Sequence, residues 1–144
     1  TLGRLKEEIL NIFVKGSISH NLNITIVSFG YKYGLPKESD LVFDVRFLPN
    51  PFYIDELKNS TGNDENVKDY VMSFETTSIF LEKLMDILKF LLPLYIKEGK
   101  SSLVISIGCT GGKHRSVTIS NYLASMLTAE NYRVLLNHRD AGKN

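Results

Sequence analysis

The sequence predicts an α/β layered domain with a largely parallel four-strand sheet flanked by helices. Three observations carry this. Short β-branched, apolar runs read as strands. Longer stretches with apolar residues at helical spacing separate them. Polar and glycine-rich clusters fall just after the strands, where an open parallel sheet gathers its functional groups.

In chain order, Leu2 to Val14 spaces Leu2, Leu5, Ile9, Leu10 and Phe13 as an amphipathic helix. Ile24 to Phe29 is the first strand, ending in Gly30. Leu41 to Phe47 is the second, closed by Pro49-Asn50-Pro51. The polar run Asn59 to Asn66 is a loop, and Asn63 or Asp64 caps a short helix from Glu65 to about Ser73. Thr76 to Tyr95 is the longest helical pattern. The Glu98-Gly99-Lys100-Ser101 turn leads into a third strand, Leu103 to Ile107. A helix runs from about Ser116 to Ala129, followed by a last strand from Tyr132 to Leu136 and a polar tail.

The chain has 144 residues, one domain's worth, with 43% hydrophobic residues and a formal net charge of +1. No global field marks a nucleic-acid binder, so any basic surface must come from local clustering. One cysteine excludes an internal disulfide and fits a reducing, intracellular setting. The longest apolar run, Phe90 to Ile96, is interrupted by Pro93 and is too short to span a bilayer. No signal peptide is seen, and a first residue that is not Met reads as a piece of a longer chain.

The chemistry concentrates in Gly108-Cys109-Thr110-Gly111-Gly112-Lys113-His114-Arg115-Ser116. A glycine-rich turn between strand and helix exposes backbone N–H groups at the positive end of a helix dipole, an anion site. Lys113, His114 and Arg115 add positive charge. The C-x-x-G-x-x-R-S pattern also resembles the loop of the protein tyrosine phosphatases. There, Cys109 would be a thiolate nucleophile and Arg115 the oxygen clamp. Asp44 and Asp64 are the candidate general acids. Anion binding without covalent catalysis is the favoured alternative. Gly111-Gly112-Lys113-His114 lacks the Ser or Thr of a nucleoside-triphosphatase loop, and no metal-ligand spacing is present.

Arg46 is read as a buried strand arginine, either ion-paired with Asp44 or bound to ligand. Thr61-Gly62 is a plain turn or a loop closing over ligand. Tyr31-Lys32-Tyr33 stacks on a ligand or packs. His138 and Arg139, beyond the last strand near Arg133, are a solvated end or a basic patch for phosphate or RNA. His20 and Lys15 read as surface.

Five segments together resemble the bacterial RapZ/YvcJ family: Ser28 to Gly34, Asp44 to Pro51, Thr61 to Asp64, Gly108 to Ser116, and His138-Arg139. The likeness covers nearly the whole chain from about Thr25. It implies that residues 1–144 are one domain, the C-terminal ligand-binding domain of a longer cytoplasmic protein. The N-terminal Walker A domain, with its ATP or GTP, is absent. No cofactor belongs to this domain. The resemblance also implies a fold like a phosphofructokinase subdomain. The ligand implied is glucosamine-6-phosphate or UDP-N-acetylglucosamine. Small RNA is a further partner, through Arg133, His138 and Arg139, and the full-length protein self-associates. Carried onto this chain, the anion site uses Thr110, Gly111, Gly112, Lys113, His114, Arg115 and Ser116, with Arg46 and Lys32. The family's F-K-H-G segment here reads Tyr31-Lys32-Tyr33-Gly34.

Overall fold

In a computed structural model, residues 20–143 are described. The helix expected over Leu2 to Val14 lies outside them. Four strands form one all-parallel sheet: β1 (Asn23–Gly30), β2 (Leu41–Asp44), β3 (Ser102–Cys109) and β4 (Arg133–His138). Among the described residues three α-helices accompany them: α1 (Glu65–Met72), α2 (Glu75–Glu98) and α3 (Arg115–Ala129). The strand order is β2-β3-β1-β4.

The register explains the sequence pattern. Ile24 and Ile26 lie beside Leu103 and Ile105, so alternate residues of the two central strands share a face. That face is the core. Leu84, Leu88 and Leu92 of α2, Ile119, Leu123 and Leu127 of α3, and Val67 and Val71 of α1 join the same buried cluster. On the opposite face, Phe29 is fully buried beneath Tyr31, with ring centroids 4.8 Å apart.

Two expected boundaries moved for local reasons. The second strand stops at Asp44, not Phe47. The Val45 N–H still donates to the Gly108 carbonyl. The Asp44 carboxylate then captures the Arg46 N–H at 2.9 Å and turns the chain, as Asp does at Asx-turns. The last strand runs two residues further than expected, so His138 is its final residue rather than part of a loose end.

Topology positions the site. From β1 the chain passes β3 to reach β2. From β3 it passes β1 to reach β4. The connections leaving the neighbouring strands β1 and β3 therefore diverge, and a crevice opens at their carboxyl ends, where Gly30 lies beside Cys109.

Candidate anion-binding cleft

A cleft of about 370 Å³ lies at this switch point, and all four strand ends feed it. Lys32 follows β1. Asn50, Phe52, Tyr53, Lys58 and Asn59 come from the segment after β2. Cys109, Thr110, Gly111, Lys113, His114 and Arg115 follow β3, and Lys143 follows β4. The lining holds four lysines and an arginine, and not one carboxylate. Among the described residues, Lys32, Lys58 and Lys113 have no ion-pair partner, whereas Lys143 reaches Asp140 at 2.7 Å. Uncompensated positive charge in a concave site favours an anion.

The loop backbone adds donors. No acceptor among the described residues takes the main-chain N–H groups of Gly111, Gly112, Lys113 or His114. They stand just before α3, where the helix dipole is positive. The loop's curl needs Gly112, whose φ is +74°. A Cβ there would also come within 2.5 Å of the Gly30 nitrogen.

Arg115 is only 4% exposed. One terminal nitrogen donates to the Arg46 carbonyl at 2.8 Å and the Leu48 carbonyl at 3.1 Å. The other donates to Thr110 Oγ1 at 3.4 Å. Its Nε is buried without a partner. The side chain thus clamps the turn after β2 to the loop after β3, and still borders the cleft.

His114 lines the cleft, but its Nε2 lies 3.2 Å from the Lys58 carbonyl. A carbonyl only accepts, so Nε2 carries the proton. Burial lowers the pKa of this ring, and the Lys58 carbonyl opposes the shift in part. His114 therefore ties the wall bearing Phe52 and Lys58 to the anion loop as a neutral imidazole.

Other expected residues lie elsewhere. Arg46 is not a buried strand residue. It sits in the turn after β2, its side chain 48% exposed. Asp44 holds it at 2.6 Å, and its guanidinium lies 3.9 Å from the Tyr31 ring centroid. The ion-pair alternative is the one seen, and Arg46 serves the cleft only through its carbonyl. The Arg46 hydrogen bonds hold the Asp44 carboxyl below its ordinary pKa. Ser116 is fully buried beneath the loop, 3.2 Å from Cys109 Sγ. Asp64 accepts from the Thr61 N–H and caps no helix N–H with its side chain.

Thr61-Gly62 does not reach over the cleft. It braces the anion loop from behind. The Gly62 N–H donates to the Lys113 carbonyl at 2.9 Å, and a Cβ at Gly62 would lie 2.5 Å from the His114 carbonyl oxygen. His138 and Arg139 are engaged internally. His138 bonds Ser28 and Asn121. Arg139 pairs with Asp140 and donates to the Gly34 carbonyl at 2.6 Å. Arg133 is exposed. His20 is half-buried, stacked on Tyr132 with Nε2 near the Glu130 carbonyl. Among the described residues there is no cluster suited to a metal ion, and no helix long and apolar enough to cross a membrane.

Sequence reasoning missed the wall from Asn50 to Asn59. Its signal was the aromatic pair Phe52-Tyr53 directly after a proline-rich strand end. In the structure Tyr53 is 80% exposed beside the cationic cleft.

The RapZ C-terminal domain family matches residues 22–142. The chain is 62% identical over 143 residues to a nucleotide-binding protein of Caldanaerobacter subterraneus subsp. tengcongensis. That alignment covers 99% of this chain and 50% of the relative. It is 60% identical over 138 residues to a nucleotide-binding protein of Alkaliphilus oremlandii, covering 96% and 48%. It is 58% identical over 140 residues to one from Acetivibrio thermocellus, covering 97% and 48%. The chain spans about half the length of these curated relatives. Fold, loop and relatives agree, and the chain belongs to the RapZ C-terminal domain family.

Proposed function

We propose that this domain is a regulatory module that binds a phosphorylated sugar or sugar nucleotide in the cleft at the β1–β3 switch point. One observation carries the reading. A cleft of about 370 Å³ presents four lysines, an arginine and a run of unoccupied loop amides, with no carboxylate. That volume suits a small ligand such as a phosphosugar. The phosphate sits against the amides of Gly111 to His114 with Lys113 beside it. Phe52 and Tyr53 face the sugar or base. Glucosamine-6-phosphate and UDP-N-acetylglucosamine are the ligands proposed. In the parent protein the module acts in the cytoplasm, coupled to a nucleotide-binding half that this chain does not span. ATP or GTP binding, and self-association, go with that longer protein. Small-RNA binding has weaker support here: of Arg133, His138 and Arg139, only the first is exposed and without a side-chain partner among the described residues.

Titration calorimetry with glucosamine-6-phosphate, UDP-N-acetylglucosamine and inorganic phosphate tests the proposal. Lys113→Ala removes a cation without touching a packed side chain. We expect roughly a tenfold loss of affinity, the scale of one charge-assisted hydrogen bond. No heat from any of the three, or equal affinity in the variant, refutes it.

The phosphatase reading has less support. Cys109 borders the cleft, but Asp44 is held by Arg46 and Asp64 by the Thr61 N–H, and among the described residues no carboxylate lines the cleft to serve as a general acid. Aryl phosphate turnover lost in Cys109→Ser would restore that reading.

A further inference from the structure

A chain of hydrogen bonds, buried at Ser28 and exposed at Asn63, runs from the end of β1 to the back of the anion loop. Ser28 Oγ lies 2.6 Å from His138 Nδ1, and His138 Nε2 lies 2.9 Å from Asn121 Oδ1. Asn121 Nδ2 donates to Asn63 Oδ1 at 2.9 Å. Asn63 belongs to the Thr61–Asp64 turn, whose Gly62 N–H donates to the Lys113 carbonyl. Thr118 Oγ1, from the first turn of α3, reaches the Gly62 carbonyl at 3.5 Å.

Each link has a fixed direction. Asn121 uses its Nδ2 to donate to Asn63, so its Oδ1 is the atom facing His138 and can only accept. His138 therefore carries its proton on Nε2 and accepts at Nδ1 from the Ser28 hydroxyl. Burial lowers the His138 pKa, which favours the neutral ring, and the Asn121 acceptor selects this tautomer. Ser28 is fully buried, so the chain is closed to ligand at that end. None of the four side chains lines the cleft.

We propose that Ser28, His138, Asn121 and Asn63 form a positioning relay that holds the Thr61–Asp64 turn against the anion loop. Through it, Asn121 and His138 set ligand affinity without touching ligand. The reason is mechanical. The loop amides can bind an oxyanion only while the loop keeps its curl. The Gly62 N–H fixes the Lys113 carbonyl, and so the tilt of the peptide leading into His114. The relay fixes Gly62. A turn free to lift would leave the curl to be ordered by the ligand, and affinity falls by the cost of that ordering. The affinity part of this claim rests on the proposed phosphate-binding cleft.

The test uses the 144-residue chain with Asn121→Leu and Asn121→Asp. Leu is close in shape and abolishes both links. Asp keeps the acceptor for His138, and the Asn63 amide turns over to donate to its second oxygen. Two readouts apply: amide hydrogen exchange at Gly62, and glucosamine-6-phosphate affinity by calorimetry. In Asn121→Leu we expect faster Gly62 exchange and about tenfold weaker binding, within the range for residues acting at a distance. In Asn121→Asp both return to near wild type, a rescue that a mere packing role does not give. Wild-type exchange or wild-type affinity in Asn121→Leu overturns the relay, as does failure of Asp to rescue. If the wild type binds no phosphosugar, the binding proposal fails by itself, and the relay is judged on Gly62 exchange alone.

Discussion

Replacing Arg115 with Met separates the two roles this side chain has in the cleft. Met keeps much of the packing volume and removes the guanidinium. In the native fold that guanidinium is almost wholly buried and satisfies the carbonyls of Arg46 and Leu48. Stranding a buried acceptor costs about 1–3 kcal/mol, so two such losses give about 4 kcal/mol. For a domain of this size each kcal/mol lowers Tm by roughly 4 °C, so the expected fall is about 15 °C. Thermal unfolding followed by circular dichroism measures it. The ligand effect then appears at a temperature where the variant is still folded. Binding should be severely weakened, because the turn after β2 no longer anchors the loop. A Tm within about 3 °C of wild type would refute the clamp, since no other described donor reaches those two carbonyls from Arg115's position.

Gly62→Ala pushes a methyl to within 2.5 Å of the His114 carbonyl and 2.6 Å of the Thr118 nitrogen, both backbone atoms. Overpacking of this kind costs about 1–3 kcal/mol, and the lost hydrogen bond to Lys113 adds about 1 kcal/mol. A Tm lowered by roughly 10 °C, with weaker phosphate binding, is expected, and an unchanged melting curve is the contrary result. The domain should also lose stability in mild acid. Burial lowers the pKa of both His114 and His138 in the folded chain. The unfolded chain then binds more protons, and acid favours unfolding. The loss begins as pH falls through about 6.5, the ordinary histidine value, and is complete only below the lowered folded values. Replacing both rings with glutamine should flatten Tm against pH across that window. A wild-type Tm that is flat there contradicts the assignment of two buried neutral imidazoles. Asp140 acts in a separate, more acid window. Burial raises its pKa, but Arg139, the Gly30 N–H and Lys143 outweigh that and hold it below the ordinary carboxyl value of 3.8. Its contribution is lost only as pH falls below that point, so Asp140→Asn should leave the slope near neutrality unchanged.

The layered fold was legible because apolar runs and helical periodicity follow burial, and among the described residues the main core is simple: one sheet face packed against three helices. The strand ends were less legible. Asp44 stops β2 through a side-chain bond that apolar patterning cannot register, since Val45 and Phe47 still look like strand. The anion loop was readable from local residues, because glycines, a following helix and cations are all encoded within nine positions. Its supports were not. Whether Thr61-Gly62 covers the cleft or braces it depends on the Gly62 N–H meeting the Lys113 carbonyl, far along the chain, and whether Arg46 meets ligand or Asp44 depends on the turn that ends β2. His138 read as a loose end because its partners, Ser28 and Asn121, are distant in sequence. The Phe52–Lys58 wall was missed because a proline-rich segment without periodicity gives no sign of which way its side chains face.

The function proposed for the cleft requires an oxyanion held by the loop amides beside Lys113. Titrating inorganic phosphate into the isotope-labelled chain at low salt, with amide shifts followed by NMR, tests this most directly. Saturable shifts that are largest at Gly111, Gly112, Lys113 and His114 are expected, and sulfate, an oxyanion of similar size, should shift the same amides and weaken the apparent affinity for phosphate. Shifts absent there, or spread over exposed lysines without saturation, would contradict it.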